Sequence, residues 1–126
     1  MATKIGPQPP PPQTPLVTEE QIVNAFKELK QQQSQIMTKI SEFDNDVGEY
    51  NLVINAITGL EPTRKCFRMV GGVLVERTVG DVLPTIQQNK DGIEGIIKKL
   101  EEQLNSKTKE INDFAQKYKI KIQNTQ

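Results

Sequence analysis

Residues 66–77 read CFRMVGGVLVER, and this stretch decides the fold. Two apolar, partly β-branched runs meet at Gly71-Gly72, and glycine supplies the positive φ that two-residue type I′ and II′ turns require. The sequence therefore predicts a β-hairpin over 66–77. Pairing across the turn predicts three cross-strand pairs: Val70 with Val73, Met69 with Leu74, and Arg68 with Val75.

The two faces of this hairpin are both largely apolar. Alternation along the strands puts Phe67, Met69 and Leu74 on one face. The other face carries Cys66, Arg68, Val70, Val73, Val75 and Arg77. A lone two-stranded hairpin is marginally stable in water at best. We therefore expect it to be covered on both faces by other polypeptide chains.

A heptad-like run of apolar residues lies on each side of the hairpin. The first extends from Ile22 to Ile57 and the second from Val79 to Tyr118, with polar interruptions at Gln33, Lys90 and Lys107. A repeat of 3.5 residues sustained over about five heptads is typical of a coiled-coil seam. The short connector permits only antiparallel pairing. The predicted fold is mainly α, an antiparallel two-helix coiled coil with one β-hairpin between the helices.

Capping signals set the predicted limits of the two helices, 18–58 and 78–120. Thr18 and Gln21 form a capping-box pattern at the first start. The second helix begins at Thr78 with Asp81 as its partner or, alternatively, has Pro84 as its first residue. The register of the two helices is predicted on the assumption that the residue numbers of facing residues add up to about 140. The facing pairs are then Phe26 with Phe114, Ile36 with Leu104, Gln33 with Lys107, and Tyr50 with Lys90.

The ends of the chain are predicted to be tails around a single domain over 16–122. Residues 1–15 contain GPQPPPPQTP, which favours a solvated, polyproline-like tail, and 123–126 form a short second tail. A docking site for a proline-reading domain is the alternative. The start of the chain lacks the apolar core of a signal peptide, and no window suggests a membrane span.

Composition narrows the classes of function. Acidic and basic residues balance, 16 against 16, which argues against a nucleic-acid or membrane-surface binder. With no His and one Cys, the usual metal-site and catalytic-triad chemistries lack their residues, so we expect no metal, cofactor or enzymatic reaction. Cys66 cannot form an intrachain disulfide, which favours a reducing, intracellular setting. Its predicted role is that of a small buried apolar side chain, and a free reactive thiol is the alternative.

Apolar residues off the seam collect where the two chain ends meet, at Leu16, Val17, Val23, Ile120 and Ile122. Scattered exposed apolar side chains are common, so fraying ends explain them adequately. The alternative is an apolar tip that holds another chain's hydrophobic surface. The alternation Lys117-Tyr118-Lys119-Ile120-Lys121-Ile122 also admits a basic nucleic-acid tail, although no wider basic field supports it.

Two segments resemble the beta-class prefoldins: RKCFRMVGGVLVERTV at 64–79 and VLPTIQQNKDGIEGIIKKLEEQL at 82–104. The resemblance covers about 18–122. It implies a subunit of a hexamer of two alpha-class and four beta-class chains, whose hairpins join into a double β-barrel platform. It further implies that the coiled-coil tips hold unfolded actin and tubulin without nucleotide and pass them to the cytosolic group II chaperonin. The implied location is cytoplasmic, and a nuclear one stays open.

The resemblance assigns two sets of functional residues. The implied assembly segment is Cys66, Phe67, Arg68, Met69, Val70, Gly71, Gly72, Val73, Leu74 and Val75. The implied client-binding tip is Leu16, Val17, Ile22, Val23, Phe26, Phe114, Tyr118, Ile120 and Ile122. The competing hypothesis is a structural adaptor or tether, but a tether needs no β segment between its helices.

Overall fold

The computed structural model describes residues 17–121, and within them the chain is a helical hairpin closed by a β-hairpin. The element order is α1 (Glu19–Ile57), β1 (Lys65–Val70), β2 (Val73–Thr78) and α2 (Val79–Lys117). Each helix has 39 residues, which makes it about 58 Å long. The predicted fold class is confirmed. The predicted tails, together with Leu16 and Ile122, lie outside the described residues.

The start of α1 is the predicted capping box. The backbone N–H of Gln21 donates to the Thr18 hydroxyl at 3.1 Å, and the backbone N–H of Thr18 donates to the Gln21 side chain at 3.0 Å. These bonds satisfy amides that the first helical turn leaves without partners. At the other end Thr58 is the C-cap, and Gly59 follows with a φ of 127°, where a side chain would be strained.

The hairpin pairs its strands in the predicted register. Val70 faces Val73, Met69 faces Leu74 and Arg68 faces Val75. Gly71 and Gly72 have φ values of 55° and 82°. A type I′ turn needs positive φ at both central residues, whereas type II′ needs it only at the first. The two glycines therefore select type I′, which matches the right-handed twist of the strands.

The second helix follows β2 directly, with Thr78 as its N-cap. The Asp81 backbone N–H donates to the Thr78 hydroxyl at 3.3 Å, so the structure selects the Thr78 start and places Pro84 inside α2. Val79 is 3% exposed. Its backbone N–H bonds the Arg64 carbonyl at 2.9 Å, and the Gly80 N–H bonds the Pro62 carbonyl at 2.9 Å. These bonds tie the start of α2 to the segment before β1.

The prediction that the second helix continues to 120 is wrong, because α2 ends at Lys117. Lys119 adopts a φ of 56°, in the left-handed region. The Ile120 N–H donates to the Ala115 carbonyl at 2.7 Å, and the Lys119 N–H donates to the Gln116 carbonyl at 3.3 Å. This pair of bonds is a Schellman motif, which stops the helix by turning the chain back over its last carbonyls.

The seam between the helices contains the predicted positions. The heptad positions, spaced four then three residues apart in each run, are all at least partly buried, including the polar Gln33, Lys90 and Lys107. The rings of Phe26 and Phe114 stack with centroids 6.1 Å apart, which confirms the predicted pairing. Among the described residues, only Val79, Ile111 and Ala115 are buried hydrophobic side chains, so the core is a narrow strip.

The polar layer of the seam lies where the predicted register puts it. The Gln33 amide donates to the Thr108 hydroxyl at 3.1 Å. Lys107 donates to the Gln32 side chain at 2.8 Å and forms an ion pair with Glu110 at 2.9 Å. These two cross-helix bonds lie one position to either side of the predicted pair of Gln33 with Lys107. The polar layer satisfies its members across the seam, and such layers fix register in coiled coils.

Candidate functional site

The assembly segment predicted from the sequence is an exposed, apolar surface at one end of the molecule. On one face Phe67, Met69 and Leu74 are 63%, 64% and 62% exposed. On the other face Val70 and Val73 are 52% and 62% exposed. Monomeric soluble proteins rarely expose so many neighbouring large apolar side chains. The hairpin therefore exposes an apolar surface on each of its two faces.

The hairpin is held by backbone bonds and by its attachment to α2 more than by apolar packing. Cys66 is a free, half-buried thiol and Thr78 is half-buried, whereas the strand residues between them are exposed. Near the base, Lys65 and Glu76 form a solvated ion pair at 3.6 Å. Such exposed pairs contribute little to stability.

A groove lies behind the hairpin, between its strands and the adjoining ends of α1 and α2. Its volume is about 400 Å³. The helices supply apolar side chains to its wall, among them Val53, Ile57, Val82 and Ile86, and the strands supply Cys66, Arg68 and Arg77. We name this cavity the hairpin groove. The sequence analysis did not predict this groove, although it placed Arg68 and Arg77 on one face of the hairpin.

The opposite end of the molecule is where the predicted client-binding residues gather, and the structure divides them into two groups. Ile22, Phe26, Phe114, Tyr118 and Ile120 are half-buried. Phe114 lies between Phe26 and Tyr118, with centroids 6.1 Å and 4.8 Å away. This aromatic cluster closes the seam and leaves only part of each ring accessible.

Val17 and Val23 form the accessible group at this end, with exposed fractions of 46% and 43%. Leu16 and Ile122 belong to the predicted set but lie outside the described residues. Lys117 places its ammonium group 5.3 Å from the Tyr118 ring centroid, so a cation borders the aromatic cluster. We call the side chains of residues 17–26 and 114–121 at this end the tip.

The described residues contain few features suited to other kinds of chemistry. No group of three or more His, Cys, Asp or Glu side chains in 17–121 is arranged to hold a metal ion. Neither helix in that range combines the length and apolar character of a transmembrane span. The arrangement that remains is two separated apolar surfaces joined by a long helix pair, which suits binding of other polypeptides.

Comparison with protein families gives a match over most of the chain. A family model described as "Prefoldin subunit" matches residues 20–125. The probable prefoldin subunit 2 of Dictyostelium discoideum is 67% identical over 106 residues, covering 84% of this chain and 91% of that protein. The prefoldin subunit 2 of Homo sapiens is 44% identical over 106 residues, covering 84% of this chain and 69% of that protein.

A solved structure has the same architecture. The prefoldin beta subunit from Thermococcus strain KS-1 superposes with a TM-score of 0.72, covering 78% of this chain and 86% of that one. The sequence identity is 13%, so this likeness concerns the fold alone. The helix pair with a single hairpin is thus shared by chains that have few residues in common.

Proposed function

Because the chain belongs to the prefoldin family, we propose that it is a beta-class subunit of a hetero-hexameric prefoldin that holds unfolded polypeptides. The other members are two alpha-class and three further beta-class subunits. The proposed clients are unfolded actin and tubulin, which the complex transfers to the cytosolic group II chaperonin. The proposed location is the cytoplasm, with the nucleus as a second compartment, and the role involves neither nucleotide nor a catalysed reaction.

The exposed hairpin is the single observation that carries the assembly part of this proposal. Its two faces offer neighbouring apolar side chains that the chain itself does not cover, and apolar area removed from water is the main driving force of association. Strands from several subunits would cover those faces and pair the open strand edges, which a closed barrel removes altogether. The hairpin is therefore the proposed platform element.

The tip is the proposed holding surface. Val17, Val23 and the accessible parts of the aromatic cluster would contact a client weakly and without directional requirements, because apolar contacts are non-directional. Six coiled coils on one platform would raise the effective concentration of such contacts. Weak, non-directional contacts allow many different clients to bind and later to be released. Their combination on one platform makes the total binding strong.

Substitution of the tip in the reconstituted complex tests the holding function. The V17S/V23S variant should weaken affinity for denatured actin by about tenfold, since each valine loses part of an apolar contact worth about 1.5–3 kcal/mol when fully buried. Val17 precedes α1, and at position 23 Val and Ser have similar helix propensities, so α1 should be retained. Suppression of actin aggregation by light scattering, together with labelled-client binding, gives the measurement.

The matched control is M37S/I96S, which changes side chains 52% and 44% exposed outside the tip and the hairpin. It should protect actin as well as the unmodified complex does. Equal protection by the tip variant and the control would contradict tip binding. Lack of protection by even the unmodified complex would favour the structural adaptor or tether.

A further inference from the structure

The hairpin groove has a charge pattern that the chain itself does not balance. Of the residues that line it within the described part of the chain, only Arg68 and Arg77 are charged. Tyr50, Thr85 and Asn89 add a hydroxyl, a second hydroxyl and an amide to the same wall. The groove therefore combines apolar walls with two cations and several neutral hydrogen-bonding groups.

The two arginines lie on one face of the hairpin. Cys66 pairs with Arg77 and Arg68 pairs with Val75, so the guanidinium-bearing residues are diagonal neighbours across the ladder. The Cα atoms of diagonal neighbours are separated by roughly 7–8 Å, and both arginine side chains line the same groove. Like charges that share one groove repel each other, and an anion seated between them relieves the repulsion.

Neither guanidinium has an acidic partner in residues 17–121, where the ion pairs join Lys65 to Glu76 and Lys107 to Glu110. Solvent satisfies both arginines while the face is open. Once neighbouring strands cover that face, the charges lose water, and a buried charge is retained only when it is paired. The covering chain must therefore supply negative charge at this place.

We propose that the hairpin groove receives an acidic side chain, Asp or Glu, from a different subunit of the assembly, held between Arg68 and Arg77. A carboxylate matches the planar fork of arginine and accepts two parallel hydrogen bonds from it. Tyr50 and Asn89 line the same groove and offer further donors to its remaining lone pairs, whereas the Thr85 hydroxyl already donates to the Asp81 carbonyl at 3.3 Å. The stem of the side chain packs against Val82 and Ile86. This inference rests on the proposed assembly through the hairpin.

The first test removes the charges and keeps the hydrogen-bonding shape. In the complete reconstituted complex, R68Q/R77Q should raise the rate at which this chain exchanges out of the complex by about tenfold or more, because breaking a buried charge pair acts mainly on dissociation. The exchange rate of the variant should also depend less on salt. Exchange of a fluorescently labelled chain is the measurement.

The control K98Q/K109Q removes two exposed lysines from α2 and should exchange at the unmodified rate. An R68Q/R77Q complex with unmodified exchange and salt dependence would overturn the inference. The M69E/L74E variant described below separates this result from the proposed function. If M69E/L74E fails to assemble while R68Q/R77Q behaves normally, only the acidic partner is refuted. If both assemble normally, assembly through the hairpin is refuted as well.

The second test identifies the partner side chain and retains the positive charge, so folding is preserved. The R68K and R77K variants each place an amine in the groove of the assembled complex. A zero-length carbodiimide should then form an amide bond from that amine to an Asp or Glu of a different subunit, identified by mass spectrometry. Links confined to carboxylates of this chain or of a second copy of it would overturn the assignment, as would the absence of any link.

Discussion

The helix pair and the hairpin treat their apolar side chains in opposite ways. Along the helices each seam residue faces another residue of the same chain, and Ile111 reaches 2% exposure. In the hairpin Met69 and Leu74 are directly paired across the ladder and are still 64% and 62% exposed. The chain thus completes its coiled coil alone and leaves the apolar faces of its β segment exposed.

The polar side chains follow the same division. In the seam Gln33 bonds Thr108, and Lys107 bonds Gln32 across the helix pair. In the hairpin groove Arg68 and Arg77 have no acidic partner among residues 17–121. The hairpin therefore leaves both its apolar faces and its charges without partners in the described chain, which is the pattern on which the proposed assembly rests. The helix pair satisfies both kinds of side chain within the chain.

The largest effect is expected from placing charges on the hairpin. M69E/L74E puts two carboxylates where neighbouring strands are proposed to cover the face, and burying an unpaired charge costs several kcal/mol. The affinity of this chain for the complex should fall by more than about 1,000-fold. Size-exclusion chromatography with light scattering should show free subunits instead of an intact hexamer.

The control for that experiment is M37E/L52E, which also changes one Met and one Leu to Glu. Met37 and Leu52 are 52% and 72% exposed on α1. Exposure in the isolated chain is thus similar, and only the location differs. The control should assemble normally. An intact particle from M69E/L74E would show that the hairpin faces stay open to water in the complex.

A smaller effect is expected within the helix pair, from Ile111→Ala. Ile111 is 2% exposed, so the substitution removes buried methyl groups and leaves a cavity, at a cost of about 2–5 kcal/mol in the free energy of unfolding. Ile96→Ala makes the same chemical change in the same helix at a residue 44% exposed. It should cost less than about 1 kcal/mol. Urea unfolding of the full chain, followed by helical circular dichroism, compares them.

Equal destabilisation by the two isoleucine variants would contradict a seam that closes tightly around Ile111. A loss confined to Ile111→Ala would support it, and the complex carrying that variant should still assemble. This last result would separate the two regions further, because a weakened coiled coil would leave the hairpin contacts unchanged.

The sequence was sufficient for features that local chemistry decides. Gly71-Gly72 fixed the turn and therefore the whole strand register, because a two-residue loop leaves no freedom of pairing. The heptad spacing identified the seam residues, and the capping box located the start of α1. Each of these signals lies within a few residues of the structure that it produces, so no tertiary information was needed.

Features that depend on the relation between elements were harder to predict. Nothing in Lys119 signals a left-handed residue, since glycine is the usual occupant, so the Schellman end of α2 went unseen. The partner of Gln33 differed by one position because a residue sum cannot resolve which neighbour across the seam a side chain reaches. The hairpin groove is formed by the position of the strands relative to the helix ends, which sequence periodicity does not predict.

The functional residues show the same limit. The resemblance grouped Val23 with Phe114 at the tip, yet the first is exposed and the second is half-buried within an aromatic cluster. Seam position decides this difference: Phe114 continues the heptad run, and Val23 does not. The heptad pattern therefore separates residues that pack in the seam from accessible ones. The family resemblance alone does not make this separation.

The smallest effect is expected from replacing helical glycines by alanine. These substitutions compare helix positions with open space around them with one position that contacts the segment before β1. Gly48 and Gly92 lie within helices, and an added Cβ would meet no other atom within 4 Å. Gly48→Ala and Gly92→Ala should each stabilise the helices by about 0.5–1 kcal/mol, because alanine loses less backbone entropy. Slower hydrogen exchange of the neighbouring helix amides, measured in the assembled complex, would report this.

Gly80→Ala provides the contrast, because Gly80 is also helical but its added Cβ would lie 3.3 Å from both the Cβ and the carbonyl oxygen of Pro62. That carbonyl accepts the Gly80 N–H, so relief of the contact would stretch the bond that ties α2 to the segment before β1. The gain in helix propensity should be cancelled, and exchange in the hairpin should become faster. If Gly80→Ala slowed exchange as the other two variants do, the attachment would be looser than these contacts indicate, and the hairpin would be free to move relative to the helices.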